Sequence, residues 1–250
     1  MACFHCNFTS PTLNMITQVI VTIPDGITPE QKKEMPVVYL LHGLSDNASG
    51  WSRLTSVERY ASAKGVAVIM PEVQRSFYTD MKYGLNYFQF ITKDLKQFAA
   101  NYFSLPTDRE HSYIAGLSMG GYGALKAALR CPEEYTACAG FSSAVGVQEY
   151  LDKNMLFLPG EAVAIFGEEL KVKPEDDVYA LAEVCAKSPL KPRVFLSCGT
   201  NDLLFAQTTK MKEILEANSY ELRYWDYPED HTWNFWDMSV QRAFDFFFDE

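Results

Sequence analysis

The 250-residue chain is short of positive charge. Its 22 Lys and Arg stand against 32 Asp and Glu, a formal net charge of −10. No Lys/Arg run offsets this balance, so the footprint that a phosphate backbone requires is missing and nucleic-acid binding is disfavoured. No apolar stretch approaches the ~20 residues of a membrane-spanning helix, so no membrane partner is expected. The opening Met1-Ala2-Cys3-Phe4-His5-Cys6-Asn7 has neither a basic n-region nor an apolar h-region, so the expectation is a cytoplasmic protein without a signal peptide. Internal repeats, low-complexity tracts and interdomain linkers are also missing. One domain over residues 1–250 is expected, large enough to bury roughly three quarters of its unfolded surface.

Metal-ligand patterns are equally sparse. The six cysteines are Cys3, Cys6, Cys131, Cys138, Cys185 and Cys198. Cys3-Phe4-His5-Cys6 has the look of a metal or redox motif, but a zinc site needs four ligands and no second Cys/His cluster follows. A redox CxxC opens a helix after a strand, whereas this one lies in the first residues. Free thiols acting as small apolar residues are expected, with no metal and no cofactor.

What is present is ordinary globular composition, 48% hydrophobic and 22% charged. Thr17-Gln18-Val19-Ile20-Val21-Thr22-Ile23 is β-branched and ends at the turn signal Pro24-Asp25-Gly26. Continuous apolar runs follow at 37–41, 66–70, 112–115, 137–141 and 194–198, as expected of strands buried on both faces of a parallel sheet. Helix-period segments lie between and after them, at 55–64, 86–102, 121–130, 203–218 and 233–248. This alternation predicts an α/β fold: a mostly parallel central sheet with helices on both faces. Residues from about 144 to 190 break the rhythm. They read as an insertion over the carboxyl edge of the sheet, where active-site loops collect.

Gly116-Leu117-Ser118-Met119-Gly120 is a G-x-S-x-G. An apolar strand precedes it and a small-residue helix, from Gly121 on, follows it. That context is a nucleophile elbow, which presents Ser118 Oγ at the carboxyl edge of the sheet. A serine hydroxyl needs a base, and on such a fold the chain order is Ser, acid, His. Of the four histidines, His5, His42, His111 and His231, only His231 lies after Ser118. For the acid, Asp202 directly follows the run at 194–198 and shares an edge with Ser118; Asp226 and Asp230 are rivals near His231 in sequence. An acid there would fix the imidazole tautomer and stabilise the imidazolium. The oxyanion hole needs backbone N–H donors. Met119, after the nucleophile, and Leu44, in the loop after the run 37–41, are the candidates, with His42 packed beneath that loop as a structural residue.

Aromatic residues on loops at the carboxyl edge, Trp51, Phe77 and Tyr78, are candidate pocket walls. So are Leu156 and Phe157, within the run Met155-Leu156-Phe157-Leu158, which is too apolar to face water without reason. Folded over the edge, that run closes the pocket above Ser118. The alternative is burial within the domain or in the interface of a homo-oligomer.

Together, Leu41-His42-Gly43-Leu44-Ser45-Asp46-Asn47-Ala48-Ser49-Gly50-Trp51, Phe77-Tyr78-Thr79-Asp80 with Tyr83-Gly84, the elbow through Gly123, Gly199-Thr200-Asn201-Asp202 and His231-Thr232-Trp233 resemble the tributyrin-esterase group of α/β-hydrolases. That group sits within the esterase D, or putative esterase, family, beside S-formylglutathione hydrolases and feruloyl and acetyl xylan esterases. The resemblance runs from about residue 15 to the C-terminus. It implies an α/β-hydrolase fold, a Ser118–Asp202–His231 triad, Leu44 and Met119 as oxyanion donors, and hydrolysis of short-chain acyl esters as small-molecule substrates. The Ser45-Asp46 segment lacks the Thr-Cys of S-formylglutathione hydrolases, which argues against that activity. A carbohydrate-directed acetyl or feruloyl esterase and a non-catalytic α/β-hydrolase scaffold are the competing expectations.

Overall fold

The computed structural model describes residues 1–249. Eight strands form one sheet: β1 (Ala2–Ser10), β2 (Met15–Ile23), β3 (Val37–Leu41), β4 (Ala67–Pro71), β5 (Ser112–Leu117), β6 (Ala137–Phe141), β7 (Arg193–Gly199) and β8 (Leu222–Tyr227). Their spatial order is β1-β2-β4-β3-β5-β6-β7-β8. The β1–β2 and β2–β4 pairs are antiparallel, and every other pair is parallel.

The apolar runs behave as double-sided strands should. Along β3, Val37, Tyr39 and Leu41 join the core on one face, while Val38 and Leu40 join the core on the other, the period of two that a pleated strand imposes. The first face is covered by the helical run 87–103 (helical turns Tyr87–Gln89, Phe90–Asp94 and Leu95–Phe103), by the helix Met119–Arg130, and by Val178–Cys185 and Phe205–Ala217. The second face is covered by Val57–Lys64 and by Trp233–Phe248, which buries Phe235, Val240, Ala243 and Phe244.

The chain's first residues carry no element that the sequence pattern marks. They form β1, in register from Ala2↔Ile23 to Ser10↔Met15. Most of its side chains stay at least partly exposed, so no apolar periodicity marks it in the sequence. Cys3 and Cys6 lie in this outer strand and do not open a helix. Asp94 ties the β1–β2 hairpin to the sheet's helical cover by accepting from the Ser10 and Thr12 hydroxyls and the Thr12 N–H.

The chain runs from β3 to β4 on one side and then crosses to β5 on the other. The reversal falls between β3 and β5, and the carboxyl ends at such a switch point flank a crevice. Between β6 and β7 the insertion holds the short helices Val147–Asp152 and Glu161–Phe166 as well as Val178–Cys185. A buried charge network docks it: Lys126, fully buried in the helix after β5, donates to Thr79 Oγ1 at 2.9 Å and to Asp176 Oδ1 at 3.2 Å. Among the described residues, no helix is long and apolar enough to cross a membrane.

Candidate active site

The elbow is built by close approach. A Cβ on Gly116 would fall 2.4 Å from the Gly120 carbonyl, and one on Gly120 would fall 2.4 Å from Leu41 O. Only hydrogen fits at either position. Ser118 takes φ 53° and ψ −115°, a region that costs of order 1–3 kcal/mol and persists only when its surroundings over-determine it. They do so here. Ser118 N–H donates to Phe141 O at 2.8 Å, and Ser118 O accepts from Ala144 N–H at 3.0 Å and Tyr122 N–H at 3.1 Å.

His231 sits in the loop between β8 and the helix Trp233–Phe248, whose first turn Thr232 caps by accepting from Phe235 N–H. Its Nε2 lies 3.1 Å from Ser118 Oγ and its Nδ1 lies 2.8 Å from Asp202 Oδ2. A carboxylate can only accept, so Nδ1 carries the proton and Nε2 presents its lone pair to the Ser118 hydroxyl. The edge of Trp236 meets the imidazole at 4.8 Å and 87°, and the indole N–H is held by Ser142 Oγ at 3.2 Å. Asp202 has a fully buried side chain, and its second oxygen accepts the Leu204 N–H at 2.8 Å. Burial alone raises the Asp202 carboxyl, but the hydrogen bond and charge of His231, the Leu204 N–H and the Ser142 hydroxyl outweigh it and hold the group below its ordinary value. The rivals Asp226 and Asp230 are exposed, and neither bonds the imidazole.

Loop 42–46 faces the elbow. His42 is buried, with Nδ1 2.7 Å from Gly43 O and Nε2 accepting the Val73 N–H at 3.2 Å. Both ring nitrogens are therefore committed to the backbone. The Gly43 carbonyl also accepts from Asp46 N–H at 3.3 Å. Across a trans peptide, this anchoring turns the Leu44 N–H to the opposite side. Neither the Leu44 nor the Met119 N–H has an acceptor among the described residues. Gly43 lies close enough that an added Cβ would come 3.7 Å from Ser118 Cβ.

These groups open into a cavity of about 570 Å³ lined by Leu44, Phe77, Met119, Leu156, Leu204 and Trp236, among others. Two of the aromatic residues expected to wall it do not reach it. Trp51 and Tyr78 are fully buried. The Trp51 indole N–H donates to Leu41 O at 3.0 Å, and the Tyr78 hydroxyl donates to His42 O at 2.8 Å. A large ring with one polar tip is satisfied by an apolar bed and one carbonyl, and these two pin the start of loop 42–46 from beneath. Phe157 is one layer back, packed on Phe77 at 5.1 Å and Phe166 at 5.8 Å. Phe77 and Leu156 do line the cavity, together with Tyr150, Leu203, Trp233 and Trp236, which the sequence reading passed over. Trp233 and Trp236 follow His231 within five residues, and that proximity was the one available signal.

Residues 10–247 match the model of a family described as putative esterase. An acetyl esterase from Caldicellulosiruptor saccharolyticus is 26% identical over 260 aligned positions, spanning 98% of this chain and 97% of that protein. Among solved structures, the fluorophosphonate-binding serine hydrolase F of Staphylococcus aureus, determined with substrate bound, superposes with a TM-score of 0.90 at 30% identity, covering 100% of this chain and 99% of that one. An S-formylglutathione hydrolase from the same organism gives 0.88 at 30% identity, covering 98% of each chain. The architecture is the α/β-hydrolase fold.

Proposed function

This chain belongs to the putative esterase family, and from that premise we propose that it is a serine carboxylesterase of the tributyrin-esterase kind, acting on short-chain acyl esters. The observation that carries the proposal is the relay from Ser118 Oγ through His231 to Asp202, at 3.1 and 2.8 Å, beside two backbone N–H groups without acceptors among the described residues.

Ser118 Oγ attacks the ester carbonyl carbon as His231 Nε2 takes its proton. Asp202 stabilises the imidazolium without being protonated. The carbonyl oxygen becomes an alkoxide held by Leu44 and Met119 N–H, each such donor being worth about 3 kcal/mol in the transition state. On collapse, His231 hands its proton to the departing alcohol and leaves an acyl-Ser118. Water, activated by the same imidazole, then releases the acid and restores the hydroxyl.

The preference for short chains rests on Phe77 and Leu156, which line the cavity that Ser118 also lines. The acetyl-esterase relative favours removal of acetyl groups; a second reading places those groups on a carbohydrate, as the family resemblance implies. An inactive scaffold is disfavoured, because such a scaffold has no need of a complete relay.

Hydrolysis of p-nitrophenyl acetate and butyrate by the wild type, lost in Ser118→Ala together with labelling by a fluorophosphonate, is the expected result. Acetylated xylo-oligosaccharides and methyl ferulate, run beside them, rank the two esterase readings. Turnover that survives Ser118→Ala would remove the proposal.

A further inference from the structure

Of the apolar run 155–158 at the tip of the insertion, Phe157 packs inward and the other three are exposed. Met155, Leu156 and Leu158 are 49%, 42% and 58% exposed. Leu156 nevertheless takes φ 71°, a left-handed conformation that leucine does not adopt unforced, and it is one of the residues lining the cavity. Phe157 anchors the turn on Phe77 and Phe166, and the Leu156 carbonyl beside it is held by a guanidinium. Arg75, in the loop after β4, donates Nε to Glu161 Oε1 at 2.6 Å and Nη2 to Glu161 Oε2 at 2.9 Å. The same Nη2 donates to the Leu156 carbonyl at 2.8 Å. Glu161 Oε2 also accepts the Leu158 N–H at 2.9 Å. One fork thus clasps the turn from both sides. With Arg75 31% and Glu161 15% exposed, the pair is partly shielded from water, where charge-assisted bidentate bonds are strongest.

The strand order says which part of a substrate this turn meets. Ser118 follows β5, His231 follows β8, and residues 75–77 follow β4, so His231 and the Arg75–Phe77 segment lie on opposite sides of Ser118 along the sheet. The leaving alcohol must be near the His231 nitrogen that protonates it. The acyl chain therefore runs the other way, toward Phe77 and Leu156.

We propose that Arg75 is a positioning residue that sets the acyl-length limit: its fork with Glu161 and its bond to the Leu156 carbonyl hold the Leu156 side chain as the end wall of the acyl half of the cavity. This rests on the esterase reading above. Lysine cannot replace it, since a point charge lacks the planar fork that spans the carboxylate.

The test measures kcat and KM for p-nitrophenyl acetate, butyrate and octanoate in the wild type, Arg75→Met, Arg75→Lys, Glu161→Gln, Leu156→Ala and the Arg75→Met/Leu156→Ala double variant. Arg75→Met is expected to raise the octanoate-to-butyrate ratio of kcat/KM about tenfold, the scale of relieving a poorly fitting methylene. The change falls in KM for octanoate, while kcat for acetate stays within about twofold, because acetyl does not extend to Leu156. Leu156→Ala gives a similar rise, and the double variant gives no more than the larger single effect, as expected of two residues acting through one wall. Arg75→Lys and Glu161→Gln shift the ratio in the same direction by less, and they carry the test if Arg75→Met does not fold. A lower melting temperature with wild-type selectivity in these variants would make Arg75 merely structural and overturn the proposal. Full additivity in the double variant would place its action elsewhere. A wild type inactive on all three esters would instead overturn the esterase reading itself, and that outcome is visible before any variant is made.

Discussion

Ser118 and Leu156 both sit at positive φ beside the same cavity, at 53° and 71°, yet they are restrained by different means. Three backbone hydrogen bonds and two glycines at van der Waals limits hold the serine. The leucine's own carbonyl is held by a side-chain fork, on a half-exposed turn that the neighbouring Phe157 anchors. Strain fixed by backbone cannot be relaxed by changing any one side chain, whereas strain fixed by a side chain can be. The elbow is thus suited to chemistry that must not vary, and the insertion tip to a wall that can change between relatives.

The hardest break falls on the chemistry. Ser118→Ala should lower kcat by more than about a thousandfold, and Asp202→Asn should lower it by about ten-thousandfold, both with wild-type circular dichroism. Steady-state kinetics on p-nitrophenyl butyrate reads this, and a residual rate above a thousandth of wild type in Ser118→Ala would remove the nucleophile. Next comes the elbow's geometry. Gly120→Ala places a methyl 2.4 Å from Leu41 O and 2.6 Å from His42 O. It should cost about 3 kcal/mol and lower Tm by roughly 6–12 °C in a calorimetric scan. Leu156→Ala, on the other side of the comparison, should move Tm by no more than about 2 °C, because its side chain is already half in water. Equal losses in the two variants would erase the contrast.

A pH-dependent effect is read at Lys126, where the two regions meet. Burial pushes its ammonium down to about 8, against the partial support of Asp176. The unfolded chain, with an ordinary lysine, then holds this proton more tightly than the fold does. Between about pH 8 and 10.5 the unfolding free energy of the wild type should therefore rise relative to that of Lys126→Met, and below pH 8 the difference should be flat. The buried tyrosines, whose hydroxyls burial drives upward, act in both proteins and cancel. Urea titrations of the two proteins at pH 7.5, 9 and 10.5 measure it. A difference that shrinks with pH would mean the lysine is easier to protonate in the fold than in the unfolded chain.

The parallel strands were legible because burial on both faces writes itself as an unbroken apolar run, as in Val37–Leu41. Ser118 was legible because its glycines answer to steric limits that nothing else meets, and His231 was selected by chain order alone. Trp51 and Tyr78 were misplaced for a physical reason. A loop position fixes where a ring starts, and whether it turns outward to a cavity or down onto a carbonyl depends on neighbours such as Leu41 and His42 that only the fold supplies. Arg75 and Glu161 went unnoticed because 86 residues separate them. Edge strand β1 was missed because a strand with water on its outer side has no need of an apolar signature.

That edge has a colloidal consequence. The outer side of β1 offers a row of peptide groups with no strand partner among the described residues, and it bears Phe4 at 41% exposure without a lysine or proline to discourage another strand. The charge of −10 that each copy carries opposes such edge-to-edge pairing. Near the isoelectric point of about 4.9 that repulsion vanishes, and strong salt screens it at any pH. Concentrated stocks should therefore cloud first in mildly acidic or high-salt buffer, and a lysine introduced in β1 should keep them clear.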